Sequence, residues 1–534
     1  MKLDLLIKGG MVYDGERTPP FSADIGISAG RISFIGRYRG RESAAIIDAG
    51  GMAVAPGFID THSHSDFTLL ADPRAEGKIC QGVTTEINGN CGMSAAPLYG
   101  MVREKREGDL MELGIKERWN TLGEYFSLLQ KKGIALNVAT LAGHGNIRGS
   151  VMGYADGHPS EQELSYMCGI LREATEQGAI GLSSGLIYPP GVYSQTGELV
   201  ELSKTLRDRR LVYTSHIRSE GDRLVDSVAE VLEIGRKSGV KAHISHIKTA
   251  GKDNWKKADE VCLMLKEARR AGVMVTCDRY PYTASATDLD SLLPPWVYAG
   301  GNDAEMKRLT DGETRARIAR EMIGMGLSGD YWKGVKISSV VSEANSWMEG
   351  ESVADIALRL GLNEVSLVLR ILVEENLRVG AIFLSMSEDN LVKYLSLPFC
   401  MIGSDSSARG FDGPTKIGKP HPRTFGTFPR FFGRYVRERA LMDLSEAVHR
   451  TTGLSAQTFG LSGRGRLAEG MWADITVFEP EKIVDTSTYD DPFRRPEGIR
   501  YVLVNGIPAL WDSRLTGNLA GKVLTARGGS NVSP

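Results

Sequence analysis

The strongest constraint on this chain lies in its middle, where short apolar runs alternate with helical patterns. The stretches 57–60, 82–88, 134–141, 178–183, 211–216, 241–246, 273–278 and 399–403 read as strands, with helical patterns such as Asp222 to Lys237 and Trp255 to Ala271 between them. One helix opens at Ser160 with Glu163 three residues on, a capping-box spacing. Such alternation builds βα units and a parallel sheet. Eight strands fit a closed, TIM-like (β/α)8 barrel better than an open sheet, which would carry a Gly-rich nucleotide loop after its first strand; the sequence has none there.

The two ends of the chain differ from the middle and resemble each other. Asp4 to Lys8, Arg31 to Ile35 and Ala44 to Asp48 are short strand patterns between Gly-rich turns, and the pattern returns at Ala473 to Phe478, Tyr501 to Gly506 and Pro508 to Leu510. The expected organisation is a small discontinuous β-sandwich domain from residues 1–55 and 465–525 beside a catalytic barrel over 56–464. Residues of about 285–395 interrupt the rhythm with Pro294-Pro295-Trp296, Met-rich helical pieces and little strand pattern, which reads as a lid-like insertion over the barrel mouth. Residues 526–534 read as a flexible tail.

With 534 residues, 42% hydrophobic and 24% charged, the chain can bury a large core without disulfides. Its net charge of -2 gives no electrostatic reason to bind nucleic acid or an anionic membrane, so a small-molecule partner is expected. The N-terminal residues lack a signal-peptide pattern and no segment approaches a membrane span, which predicts a cytoplasmic protein. The residues assign no oligomeric state. Six cysteines without CxxC spacing indicate neither a disulfide framework nor a cysteine-rich zinc module.

The barrel expectation gives strand-end residues special weight, because active sites of such folds lie at the C-terminal ends of the strands. His62 and His64 end the first strand at a spacing that puts both imidazoles on one side. Alone, the pair reads equally well as two metal ligands or two solvated loop histidines. Cys91 follows the second strand, His216 ends the fifth, His246 the sixth and Asp405 the eighth. Six such residues on predicted strand ends are hard to explain as accidents.

These strand-end residues resemble the amidohydrolase superfamily, a group of TIM-like metal-dependent hydrolase barrels. More closely, Gly89-Asn90-Cys91-Gly92, Gly185-Leu186-Ile187-Tyr188-Pro189-Pro190-Gly191, Ser215 to Asp222, Ser245-His246-Ile247-Lys248 and His421 to Arg430 resemble the D-aminoacylase (N-acyl-D-amino-acid deacylase) family. Many superfamily members bridge two metals with a carboxylated lysine on the fourth strand, but that strand here, Ala179 to Ser184, has no lysine. The family resemblance implies that Cys91 takes this place. It implies one tight Zn2+ site of Cys91, His216 and His246, and a second, weaker position among His62, His64 and Asp405. Asp405 would take a proton from the attacking water and pass it to the departing amine. By the same resemblance Lys248 and Arg423 would bind the substrate carboxylate, with Tyr188, Tyr282 and Ser285 lining the pocket.

The remaining candidates divide. Arg409 and Arg279 also follow strand ends, His144 reads equally as pocket lining or packing, and His243 is expected to pack outward. His158 is expected in a solvated loop and His449 in a helix. The implied activity is zinc-dependent hydrolysis of N-acyl-D-amino acids. The alternatives are a cyclic-amide hydrolase of hydantoinase or dihydroorotase type, a deaminase, or a non-catalytic binding protein on the same fold.

Overall fold

The computed structural model describes residues 3–40 and 43–526. Five strands open the chain: β1 (Leu3–Val12), β2 (Phe21–Ser28), β3 (Arg31–Gly36), β4 (Ser43–Asp48) and β5 (Ala53–Pro56). A second set follows, alternating with helices: β6 (Phe58–Asp60), β7 (Val83–Asn88), β8 (Asn137–Thr140), β9 (Ala142–Gly143), β10 (Gly181–Gly185), β11 (Val212–His216), β12 (Lys241–Ile244) and β13 (Val275–Arg279). The insertion carries β14 (Ser285–Asp288), β15 (Val335–Ser339) and β16 (Gly380–Phe383), after which β17 (Cys400–Ile402) resumes the inner set. The C-terminal strands are β18 (Ile475–Phe478), β19 (Ile499–Val504), β20 (Ile507–Trp511), β21 (Arg514–Leu515) and β22 (Val523–Leu524). The fold is mixed α/β.

Both ends of the chain build one sheet in the order β21-β20-β19-β18-β5-β1-β2-β3, with β4 on β1. Its joint is the antiparallel pair β5–β18, where Val54 faces Val477. Ile7, Ile25, Ile27, Ile475 and Leu503 are buried in one apolar cluster over it. The last strand departs from the expected outer unit: β22 pairs in parallel with β8, Val523 opposite Val138. The expected tail lies, from residue 527 on, outside the described residues.

The inner strands form two parallel sheets, β22-β8-β7-β6 and β17-β13-β12-β11-β10-β9. Only Leu141 separates β8 from β9. At the other seam a parallel bridge joins Ser63 to Ser406, and the Asp405 N–H donates to the His62 carbonyl at 2.8 Å. These strands are buried on both faces, as helices on the outside require. The helix Glu161–Gln177 starts with the predicted capping box, Ser160 and Glu163 each accepting the other's backbone N–H.

The insertion is richer in strand than its sequence suggested. β14, β15 and β16 make a three-stranded antiparallel sheet with its own core, including Leu289, Trp332, Val353, Val368 and Leu372. The strands run only four or five residues each, too short for alternation to register. Among the described residues, no helix is long and apolar enough to cross a membrane.

Candidate active site

The C-terminal ends of the inner strands surround a cavity of about 310 Å³ whose wall includes His64, Cys91, His216, His246, Asp405 and Arg423. His62 lies beneath, fully buried. The Cys91 Sγ stands 3.3 Å from His62 Nε2 and 3.4 Å from His246 Nε2. The Asp405 Oδ1 is 3.1 Å from His64 Nε2 and 3.5 Å from His62 Nε2. One ligand atom from each of His62, Cys91, His246 and Asp405 therefore falls within a 4.8 Å cluster, and His216, Glu220 and His246 make a second.

The backbone is strained where these groups converge. Cys91, His246 and Asp405 have φ of 55°, 37° and 52°, in the left-handed region that residues with a Cβ seldom enter. Such conformations cost roughly 1–3 kcal/mol each and persist where the surroundings over-determine them. Here the His246 N–H is held by Asp278 Oδ1 at 2.6 Å, and the Asp405 N–H by the His62 carbonyl at 2.8 Å.

A second layer fixes the rings. Asp278, at the end of β13, accepts from His243 Nε2 at 2.7 Å and approaches His62 Nδ1 at 3.4 Å. Lys78, wholly buried, donates to Asp60 Oδ2 at 2.6 Å, Ser404 Oγ at 2.7 Å, Ser63 Oγ at 2.9 Å and the Ser406 carbonyl at 2.9 Å, tying the ends of β6 and β17 together. Glu220 meets Lys248 Nζ and stands 3.1 Å from His246 Nδ1.

Burial and these partners set the charge states. Burial opposes ionisation of Asp405, yet Arg423, with Nη1 2.8 Å from Oδ2, and His246 hold the carboxyl well below its usual range. Glu220 is likewise lowered against its burial by Lys248 and His216. Burial and the Lys248 charge bring His246 down to about 4, and burial drives His216 well below its ordinary value. Burial, then the Asp405 charge, pushes the Cys91 thiol well up.

The sequence-predicted residues mostly meet here. The Cys91 thiol, expected with His216 and His246, lies instead between His62 and His246, because Asp278 sits at His62 Nδ1 and leaves its Nε2 toward the sulfur. His216 packs its ring 4.3 Å from that of His246, and neither of its buried nitrogens has a hydrogen-bond partner. Lys248, Arg423, Tyr188 and Ser285 line the cavity; Lys248 already carries Glu220 and His246, and Tyr188 bonds Thr287 at 3.0 Å.

Other expectations need correction. Tyr282 does not line this cavity: its hydroxyl turns to Asp485 at 3.3 Å, with Arg430 over its ring. His243 faces inward, drawn by Asp278 and Thr276. His144 is packed against Glu198 at 2.7 Å, Arg279 stacks on Tyr280, and Arg409 donates to the Ile417 carbonyl. His158 bonds Gln195 at the surface, and His449 sits in the helix Leu444–Thr451, as expected. Sequence reasoning missed Glu220, Asp278 and Lys78. Glu220 and Asp278 stood inside the blocks singled out, Asp278 as the last residue of a predicted strand. Lys78 had no signal.

Residues 45–320 and 405–509 match the model of the amidohydrolase family. An N-acyl-D-glutamate deacylase of Alcaligenes xylosoxydans xylosoxydans is 37% identical over 505 residues, 95% of this chain and 93% of the relative. A D-aminoacylase of the same organism is 35% identical over 98% of this chain and 97% of its own. The crystal structure of N-acyl-D-glutamate deacylase from Bordetella bronchiseptica, complexed with zinc and a phosphonate mimic of the tetrahedral intermediate, matches with a TM-score of 0.82 and 35% identity over 98% of this chain and all of that one. This chain belongs to the amidohydrolase superfamily and, within it, to the D-aminoacylase family. It is a hydrolase acting on amide bonds.

Proposed function

We propose that this chain is a zinc-dependent deacylase that hydrolyses the amide bond of N-acyl-D-amino acids to a carboxylate and a free D-amino acid. The observation that carries the reading is the convergence of a thiol, imidazoles and a carboxylate in one cavity, opposite an Arg423 guanidinium whose Nη1 pairs with Asp405 and whose buried Nε has no hydrogen-bond partner. In fold terms, the two inner sheets are read as one closed (β/α)8 barrel over 56–464. Residues 285–395 form its lid-like insertion, and residues 1–55 and 465–525, apart from β22, a small β domain. The seam contacts between β6 and β17 and the short step from β8 to β9 support closure.

The donor set suits zinc, which takes thiolate, imidazole and carboxylate ligands in four-coordinate sites. His62, Cys91, His246 and Asp405 would hold the tight ion, and a second, weaker one would lie at His216, with Glu220 and His246, while His64 stands at Asp405. When bound, zinc supplies Lewis-acid polarisation of the scissile carbonyl and a lowered pKa for water. Asp405, kept ionised by Arg423, takes the proton of the attacking water and returns it to the departing nitrogen. Arg423 binds the substrate carboxylate through its unpartnered Nε, with Ser285 and Tyr188 as neighbouring walls and Lys248 fixing Glu220 and His246. A cavity near the lower end of small-molecule sites, about 300–1,000 Å³, favours a short acyl group.

The test pairs elemental analysis with turnover of N-acetyl-D- and N-acetyl-L-amino acids and of a hydantoin. Stoichiometric zinc with turnover of the D series is expected. Hydantoin cleavage without D-series turnover would overturn the reading.

A further inference from the structure

Three residues of the site hold a left-handed backbone, and His246 and Asp405 are each fixed there through their own N–H. Cys91 is fixed through the loop around it, residues 89–95. Gly89 and Gly92 share its positive φ, at 74° each. They press the loop so close to the inner strands that a Cβ would meet the Leu141 carbonyl oxygen at 2.2 Å or the Gly185 nitrogen at 2.6 Å. From that side Ser183 of β10 accepts the Gly92 N–H at 3.0 Å and donates to the Gly89 carbonyl. The two ends of the loop must also be drawn together.

Asp66 draws them. Its Oδ2 accepts the Gly89 N–H at 3.3 Å and its Oδ1 the Ala95 N–H at 3.0 Å, so one carboxylate spans the loop. The residue is buried and makes no ion pair among the described residues. A buried polar group is costly unless hydrogen-bonded, and here two backbone donors supply the bonds. The main chain of Asp66 is pinned in turn, its carbonyl accepting from the Tyr125 hydroxyl at 2.6 Å. Asp66 stands two residues beyond His64, on the segment that also presents His62, so the clamp registers the Cys91 loop on the first pair of histidines. An asparagine fails at this task, because its amide keeps one acceptor and sets an NH2 group against the second backbone N–H.

We infer that Asp66 is a positioning residue for the Cys91 thiol. It holds Sγ at 3.3 Å from His62 Nε2 and 3.4 Å from His246 Nε2, where one ion reaches all three. The inference deepens the deacylase reading and rests on its metal centre.

The test uses the full chain carrying Asp66→Asn, with Asp66→Ser, which keeps one small acceptor, as the second variant. Each is loaded with cobalt(II), whose ultraviolet charge-transfer band reports thiolate ligation, and the zinc affinity of the metal-free protein is measured by chelator competition well below the melt. The band is expected to fall by at least about half and zinc affinity by roughly 10- to 100-fold. A folded variant with the parental band and a zinc affinity within about threefold of the parent overturns the inference, whatever its melting temperature. So does failure of both variants to fold while Cys91→Ser folds normally, because a clamp that serves the thiol is dispensable to the fold. A parent without a thiolate band defeats instead the metal centre beneath the inference.

Discussion

A Lys78→Met variant removes the ammonium that ties Asp60 on β6 to Ser404 and Ser406 beyond β17. Lys78 and Asp60 are both fully shielded from solvent, and their charged atoms stand 2.6 Å apart. Methionine fills most of the vacated volume, so cavity formation contributes little and the dominant effect is that Asp60, and Glu86 at 3.8 Å, are left buried without a counter-charge. Breaking a buried pair from one side costs roughly 3–5 kcal/mol. At about 2 °C of melting temperature per kcal/mol, the lower figure because the domain is large, the variant should melt roughly 6–10 °C below the parent. The double variant Lys78→Met/Asp60→Asn removes the nearer of the two stranded charges and should recover at least half of that loss. The assay is a thermal melt of the four members of the cycle at fixed pH and zinc. A single variant melting within about 2 °C of the parent would refute the reasoning, as would a double variant no better than the single one. Because the Asp405 N–H hangs on the His62 carbonyl in the same seam, kcat measured well below the melt should also fall at least about tenfold.

Asp405→Asn should lower kcat by roughly 10²- to 10⁴-fold while zinc is retained, read by steady-state kinetics with elemental analysis; near-parental turnover would remove Asp405 from the proton-transfer role. Arg423→Gln should raise KM by roughly 10- to 100-fold, the worth of a charge-assisted hydrogen bond, whereas Tyr282→Phe, outside the cavity, should leave KM within about threefold. Glu305, in the insertion, is pushed by burial from 4.5 up to about 7, so the folded state holds its proton more tightly than the unfolded chain does. Stability of the insertion should therefore fall as pH rises from about 4.5 through 7 and stay low above, by at most roughly 3 kcal/mol. Glu305→Gln should flatten melting temperature against pH over that window, and an unchanged slope would contradict the assignment.

The sequence carried the inner strands and most of the residues that meet at their ends because both signals are local. A strand of four to six apolar residues and a histidine at its last position can be read without knowing what lies across the sheet. Cys91, His216, His246 and Asp405 were found in this way. What sequence could not supply is orientation. The placement of Cys91 between His62 and His246 depends on Asp278, a residue from β13 that sets the ring of His62 on β6. Lys78 sits on a one-turn helix and acquires meaning only through four partners on two distant segments. Tyr282 lay in a promising sequence position but rotates to Asp485, far along the chain, where Arg430 adds its charge. The insertion's sheet was missed for a related reason, since β14 finds β16 across nearly the whole insertion.

The β5–β18 joint also sets a schedule for synthesis. β5 leads after a single glycine into β6, the strand that presents His62, and its neighbour on one side is β18, made roughly 400 residues later. At about 5–20 residues per second, the ribosome leaves that edge of β5 unpaired for roughly 20–80 s. During that interval the strand that anchors the first active-site histidine is held from β1 alone, with an open edge that other chains can pair with. Assembly of the catalytic centre is thus timed by the last strands to emerge, and a nascent chain stalled before residue 475 would carry most of its catalytic residues on a scaffold still missing its clamp.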